Sequence, residues 1–446
     1  MNRTENIEKD YSDLKVAHRW LLLILAGAGS GIIYTPLYLK NIFYDPLIEA
    51  IGCTNTDLGA LVGIFSIMAV ILYLPSGLVA DRVRMRTLYS VGMVSTAVIV
   101  FWYATLPSLF WIYVIFVAMA FTTILIWWGA RLKLVRLAFP ENEYSSKVGM
   151  SYSLYGLAGL LVGLVNTAII SAFPNDPVMA LRVVLVFLGA LILVLGILGY
   201  IFIPHFKGEI NKESKLDIKG MVEAIKNPGV LWGAVGMLFI YAVYQGLTYT
   251  TPFMTGLFAA PLALVSVIGL IRNYGIGLLA GPISGWTAKK MGSASKALIG
   301  FLIISIAVLF IFLVLPRNPG MVIPVSVLVC VMAFFAYGGY SIATSTITEV
   351  KVPLRIFGSA AGLYSLIGFL PDTFIHTWFG SILDAQGDAG YNTMFIILIV
   401  SAVIGIFCMF MVRRYVRKLQ NQPGDGRKGE DEIPEENEKI AAEATK

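Results

Sequence analysis

Charge is scarce in this sequence. Of 446 residues, 13% are Asp, Glu, Lys or Arg and 57% are hydrophobic, whereas soluble domains carry roughly 25% charged residues. So few ionised groups cannot cover a water-exposed surface, which excludes the string of soluble domains that length alone would allow. Cysteine is scarcer still. Cys53, Cys330 and Cys408 lie far apart, fit no metal spacing and read as isolated small hydrophobes. With three histidines in the chain no zinc or haem pattern forms, so neither metal nor cofactor is expected. A Gly-x-x-x-x-Gly-Lys-Ser/Thr loop is missing, which argues against ATP-driven pumping, and no catalytic constellation points to an enzyme. The N-terminus, MNRTENIEKDYSDLKVAHRW, is polar, and no small-residue cleavage site follows the first apolar run. That run is therefore expected to be a first membrane span and not a cleaved leader. The net charge of +6 suggests no nucleic-acid partner; it reflects loop lysines and arginines.

What the sequence does have is apolar length. A bilayer core of about 30 Å needs about 20 apolar residues per helix. Runs of that size predict spans at 18–40, 57–79, 87–106, 108–130, 147–171, 179–203, 229–251, 262–285, 295–315, 321–344, 358–382 and 391–412. The expected fold is an all-α membrane protein with about twelve transmembrane helices in two pseudo-symmetric six-helix bundles. Residues 1–17 form a cytoplasmic segment, 18–203 the first bundle, 204–228 a linker, 229–412 the second bundle, and 413–446 a charged tail expected to be largely disordered. Lysines and arginines crowd alternate loops, from Arg3, Lys9, Lys15 and Arg19 to Arg413, Arg414, Arg417 and Lys418. The opposite loops offer little beyond Lys40, Arg182 and Arg317. Positive charge inside then places both termini in the cytoplasm of an inner (plasma) membrane protein. The halves echo each other: Tyr34-Thr35-Pro36 ends the first span, and Tyr249-Thr250-Thr251-Pro252 the seventh. Transporters commonly place their substrate at the midplane between such repeats.

The segment Gly77-Leu78-Val79-Ala80-Asp81-Arg82-Val83-Arg84-Met85-Arg86 resembles the loop signature of the major facilitator superfamily, Gly-x-Leu-x-Asp-Arg followed by basic residues. Gly77, Leu78, Asp81, Arg82 and Arg86 match it; the usual glycine after the first basic residue is absent. The second-half copy keeps Gly281 and Gly285 but has Lys289 and Lys290 where an acid–arginine pair is usual. A looser likeness, carried by Tyr44–Ala50, Thr54-Asn55-Thr56 and Ile271–Gly275, is to bacterial permeases labelled sugar-phosphate or nitrate/nitrite transporters. The resemblance implies a secondary active transporter working by alternating access. It also implies a conformational latch at Gly77, Asp81, Arg82 and Arg86, in which Asp81 pairs with an arginine or a helix N-terminus in one conformation only. The plainer alternative is an ordinary loop charge, worth at most ~1 kcal/mol if exposed. The fifth span carries Gly149, Gly156, Gly159 and Gly163 without the family's glycine–proline antiporter signature.

Charges inside spans single out further residues. Arg272 falls near the middle of the eighth span, where arginine costs about 2.5–3.5 kcal/mol on insertion scales. Its planar fork suits a carboxylate, phosphate, sulfonate or nitrate, so it is a candidate anion clamp; the alternative is a permanent ion pair with Asp372. In the eleventh span Asp372 and His376 are four apart, on one helical face, and are candidate coupling residues if protons drive transport. Tyr34 and Tyr38 of the first span, Tyr241, Gln245 and Thr248 of the seventh, and Tyr337 and Ser341 of the tenth either join helices or line a path. The superfamily resemblance places those spans at the cavity and makes these residues substrate-binding candidates. Arg131, Lys133 and Arg136 end the predicted fourth span, as a cytoplasmic anchor or as a cationic vestibule. The expectation is a permease for a small, anionic solute, partnered by a proton or counter-anion and by membrane lipid. The rivals are a permease for a neutral or cationic solute, with Arg272 structural, and a transporter-like membrane sensor.

Overall fold

The computed structural model describes residues 8–211 and 218–421. Among them, twelve helical spans follow one another. The first six are Val16–Asn41, Asn55–Arg82, Met85–Ala104, Leu109–Ala138, Glu141–Ala172 and Pro177–Phe202. The second six are Pro228–Phe258, Leu262–Lys290, Ala294–Val314, Val322–Ala343, the pair Leu354–Gly368 with Pro371–Gln386, and Gly390–Gln420. The last two spans are divided at Gly387, whose φ of +54° suits glycine. Large apolar side chains such as Val98, Phe110, Tyr200, Phe310, Ile323 and Val400 point outward, the arrangement lipid favours and water does not.

Every predicted span is present, and several run further than the apolar runs that announced them. The fourth continues through Arg131, Lys133 and Arg136 to Ala138, so Arg131 sits inside a helix and is buried. The first continues through Pro36 to Lys40 and Asn41, so Lys40 is buried too and is not a loop charge. Hydropathy marks where lipid ends; a helix stops only where its terminal N–H and C=O groups find other partners. Thr54 and Asp57 form a reciprocal capping box on the second span, Asp176 caps the sixth, Asn227 the seventh and Ser293 the ninth. Of the expected linker, the described part holds a helix, Ile218–Lys226, packed on the eleventh span; the tail after Asn421 lies outside the described residues.

The two halves repeat one packing scheme. The third span packs on the sixth as the ninth packs on the twelfth, the first on the fifth as the seventh on the eleventh, and the second on the fourth as the eighth on the tenth. Between the halves, the second span packs on the eleventh and the fifth on the eighth. That packing is close at one end only. A Cβ on Gly59 would strike the His376 carbonyl, and one on Gly380 the Asn55 carbonyl, so the second and eleventh spans cross there backbone to backbone, as small residues permit. At the end carrying the chain termini these helices leave space: a Cβ on Gly77, Gly149, Gly281, Gly358 or Gly362 would meet nothing within 4 Å. The molecule is shut at the Asn55 end and open at the terminal end.

Four helix irregularities place the polar groups. A π-helical stretch, Phe121–Trp128, interrupts the fourth span and another, Ile271–Gly275, the eighth; such turns favour functional sites. A 3-10 turn, Leu247–Tyr249, breaks the seventh. Pro371, which lacks an N–H, restarts the eleventh and sets Asp372 in a first helical turn, where a carboxylate meets the positive end of the helix dipole.

Candidate functional site

Arg272 is 3% exposed and is held by the protein itself. One guanidinium nitrogen donates to the Leu247 carbonyl at 2.5 Å, to Thr250 Oγ1 at 2.6 Å and to Thr251 Oγ1 at 3.2 Å; the other donates to the Asn41 carbonyl. Only Nε lacks an acceptor among the described residues. The eighth span is thereby tied to the broken stretch of the seventh and, across the halves, to the end of the first. The ion pair with Asp372 is not formed. Thr248 joins the same seam, donating to Asn41 Oδ1 at 3.1 Å, and Thr251 donates to the Asn41 carbonyl at 3.2 Å. Nearer the surface Thr255 donates to Asp45 at 2.5 Å. Burial pushes the Asp45 carboxyl above its ordinary 3.8, against the pull of that hydrogen bond. The outermost contact is Asp384, which accepts from the Asn55 and Thr56 backbone N–H groups at 3.1 and 2.8 Å and from their side chains at 2.8 and 2.5 Å. An acid of the second half thus caps a helix of the first.

Asp372 is buried deeper. Tyr241 donates to one oxygen at 2.8 Å and Gln245 to the other, while Gln245 also reaches the Tyr241 hydroxyl at 3.1 Å. His376 Nε2 stands 3.9 Å from the carboxylate, so the expected shared face is real; His376 Nδ1 has no partner among the described residues. Lys40, 1% exposed, carries an Nζ without any hydrogen-bond partner among the described residues.

Toward the open end an aromatic wall follows. Tyr244 stacks on Tyr340 at 5.1 Å, Tyr241 meets Tyr340 at 5.2 Å and Phe369 at 5.0 Å, and Tyr337 stands edge-on to Tyr244 at 5.7 Å. Ser341, one turn beyond Tyr337, is exposed and bonds only to the Gly338 carbonyl of its own helix. Across from this wall, Tyr34 donates at 2.9 Å to the Thr123 carbonyl inside the fourth span's π turn, and Tyr38 packs edge-on to Phe65. Arg131, 7% exposed, lies 4.1 Å over the Tyr152 ring, and no carboxylate approaches it among the described residues. Tyr241, Gln245, Asp372 and His376 are thus brought together, Tyr337 joins the Tyr244–Tyr340 cluster, Tyr34 and Tyr38 are engaged by Thr123 and Phe65, and Arg272 and Thr248 are bound into the closed end. Sequence reasoning passed over Asn41, took Lys40 and Asp384 for loop charges, and counted Tyr244 and Tyr340 only among the hydroxyls that join helices or line a path. The aromatic repeat Tyr241–Tyr244 and Tyr337–Tyr340 was the one signal able to reveal part of this set.

The profile of the Major Facilitator Superfamily matches residues 19–376 of this chain. The chain belongs to the Major Facilitator Superfamily. It is 26% identical over 412 residues to the inner membrane protein YqcE of Escherichia coli, covering 91% of this chain and 97% of that one. Its fold is similar to the crystal structure of a bacterial homologue of the human lysosomal transporter Spinster in an inward-facing, unoccupied conformation. The TM-score is 0.73 at 14% identity, over 92% of this chain and all of that one. It is also similar to a mutant form of the nucleoside transporter NupG, with a TM-score of 0.69 at 14% identity, over 89% and 99% of the two chains.

In this superfamily member the signature loop Gly77–Arg86 is held by its own half. Arg84 bonds Glu8 at 3.0 Å and Glu209 at 3.4 Å, and Glu209 accepts the Met85 N–H at 2.9 Å. Arg86 donates to the Ile203 carbonyl at 2.6 Å, and Lys133 reaches the Ala80 and Val83 carbonyls. The Asp81 carbonyl accepts from Asn211, while its carboxylate makes no hydrogen bond or ion pair among the described residues. Arg82 is exposed.

Proposed function

We propose that this chain is a secondary active transporter for a small anionic solute. It works by alternating access between two moving bodies, residues 18–203 and 229–412, in an inner membrane with both termini cytoplasmic. The observation that carries this reading is the charge between the halves. Among the described residues three cations are buried, Lys40, Arg131 and Arg272, against two carboxylates, Asp372 and Glu209, of which Glu209 is taken up by Arg84 and the Met85 N–H, and a buried cation without a counter-charge is costly. An anion entering the open end meets Arg131 first and then the space bounded by Tyr241, Tyr337, Tyr340 and Asp372. Because Arg272 already serves protein acceptors, its role in this arrangement is that of a strut, and the free cations Arg131 and Lys40 take the clamp role expected for it. Asp372 with His376 is the coupling pair. Asp81, whose carboxylate has no hydrogen-bond or ion-pair partner among the described residues, is the latch awaiting closure. The test is uptake by proteoliposomes of labelled carboxylates, sulfonates, phosphates and nitrate; uptake of at least one that Arg131→Gln reduces tenfold or more supports the reading, and uptake of none refutes it.

A second reading, a permease for a neutral solute, is favoured by the four protein bonds of Arg272 and by the tyrosine wall, on which an uncharged ring could stack; the NupG likeness is one of fold. Uptake of nucleosides unaffected by Arg131→Gln would select it.

A further inference from the structure

The fourth span changes helix type just before its buried arginine. Phe121–Trp128 is π-helical and Gly129–Ala138 is α-helical, so Arg131 sits in the first turn after the change. The first span holds the π stretch at two points. Tyr34 donates to the Thr123 carbonyl at 2.9 Å, and Trp127 Nε1 donates to Ser30 Oγ at 3.3 Å. Ser30 and Tyr34 are one helical turn apart, and all four residues are buried. Just beyond, the second span holds the α-helix. The Gly129 N–H donates to Ser76 Oγ at 3.2 Å, and a Cβ on Gly129 would lie 2.7 Å from the Ala80 Cβ and 3.1 Å from the Ser76 carbonyl. Lys133 reaches the Ala80 and Val83 carbonyls. A side chain at Gly129 would have to push the two helices apart.

We infer that Tyr34 and Gly129 are positioning residues, which aim Arg131 by fixing the register of the fourth span on either side of its π stretch. A π turn bonds residue i to i+5 where an α turn bonds i to i+4, so it takes in one residue more. If the stretch closed to α with its start in place, everything after it would advance by one residue, roughly 100° and 1.5 Å. Trp128 would then enter the place of Gly129, where Ala80 leaves no room even for a methyl group. Arg131 would turn away from the Tyr152 ring that it now covers at 4.1 Å. The wide turn is therefore locked at both ends, by Ser30 and the Tyr34 hydroxyl before the change and by the Gly129 slot after it. Tyr34 acts here through Arg131 and not on the substrate. This rests on the anion reading above, in which an entering anion meets Arg131 first, and adds what places that cation.

A fluorine label on the Tyr152 ring, introduced as 3-fluorotyrosine in the purified full chain, reports the guanidinium above it, and Arg131→Gln marks where the resonance falls without one. In Gly129→Ala the resonance should move to that mark. In Gly129→Ala combined with Ala80→Gly, which removes the methyl that the new one strikes, it should return. Tyr34→Phe keeps the ring and loses only the hydroxyl, and its resonance should lie between the two positions. In proteoliposomes taking up labelled nitrate or gluconate, Gly129→Ala should raise KM about fivefold or more with kcat within about twofold, the pattern of lost binding without lost turnover, and Ala80→Gly should restore KM. A melting temperature that falls in Gly129→Ala without movement of the resonance would show an ordinary packing role and overturn the inference. A displaced resonance that Ala80→Gly fails to bring back would overturn it too. An unmoved resonance in Tyr34→Phe overturns the part given to Tyr34. Moved resonances with KM unchanged would break the link between the position of Arg131 and binding. Resonances that behave as expected while neither anion is taken up would count against the anion reading and leave the positioning of Arg131 standing.

Discussion

Replacing Asp384 with alanine should loosen the closed end, by an amount that follows from the contacts. Four hydrogen bonds run from Asn55 and Thr56 to one carboxylate. Charged hydrogen bonds contribute about 1.5–3 kcal/mol each when buried, but Asp384 is exposed, and water can replace it at both backbone N–H groups. Capping is the closer comparison, at about 0.5–2 kcal/mol, with the helix dipole adding about 0.3–1 kcal/mol. The second span keeps its own Thr54–Asp57 capping box, so the helix itself persists and the loss falls on the contact between halves. A weakening of about 1–3 kcal/mol corresponds to a shift of about 5- to 150-fold in the ratio of the closed to the opened end. Spin labels on cysteines replacing Glu49 and Asp388, both exposed and on opposite halves, with the three native cysteines removed, would report that ratio as short and long distances. The long-distance population should grow in Asp384→Ala and grow less in Asp384→Asn, which keeps one acceptor oxygen. An unchanged distribution in Asp384→Ala would show that the closed end is held by apolar packing alone and would falsify the capping account.

Other outcomes follow from the same seam. Arg272→Lys should lower the melting temperature, since an ammonium cannot span the Leu247 and Asn41 carbonyls as the fork does. Anion affinity should stay within about threefold, a modest change on the scale where 1.4 kcal/mol is tenfold; a hundredfold loss would restore Arg272 as the clamp. Gly59→Ala drives a methyl at the His376 carbonyl, costing about 1–3 kcal/mol as overpacking, and should shift the spin-label distances as Asp384→Ala does. Asp45 has a raised folded-state pKa, so its contribution to stability is full below its ordinary 3.8 and is lost as pH rises through the higher folded value. Asp45→Asn should therefore melt higher than the unaltered protein at pH 7, with the difference shrinking toward pH 4; a difference constant across that range would contradict the assignment.

The spans were legible because lipid imposes one rule on every residue that faces it; the restart of the eleventh at Pro371, which puts Asp372 in a first helical turn, went unread. Arg272 was legible as a buried charge, but its partners were not. Two of them are backbone carbonyls, at Leu247 and Asn41, and any sequence has a carbonyl at every position. Lys40 was hidden by the topology rule itself, which counts a lysine near a span end as a loop charge; Pro36 encouraged that reading, yet the chain resumes helix after it. Arg131 was legible as a cation at the end of the predicted fourth span, anchor or vestibule, but its burial was not, because the apolar run ends at residue 130 while the helix continues to Ala138. Asp384 lies 328 residues from Thr56 in the chain, and no local pattern records that meeting.

The way Arg131 is held has a consequence in time. Its guanidinium rests over the Tyr152 ring, a contact worth about 0.5–2 kcal/mol, with no carboxylate among the described residues to be displaced. An anion reaching Arg131 would need to break only that contact. Arg272 must release four protein bonds before it can do anything else. One arginine is therefore held by a single ring contact and the other by four protein bonds, so the first exchanges partners quickly and the second lets go seldom.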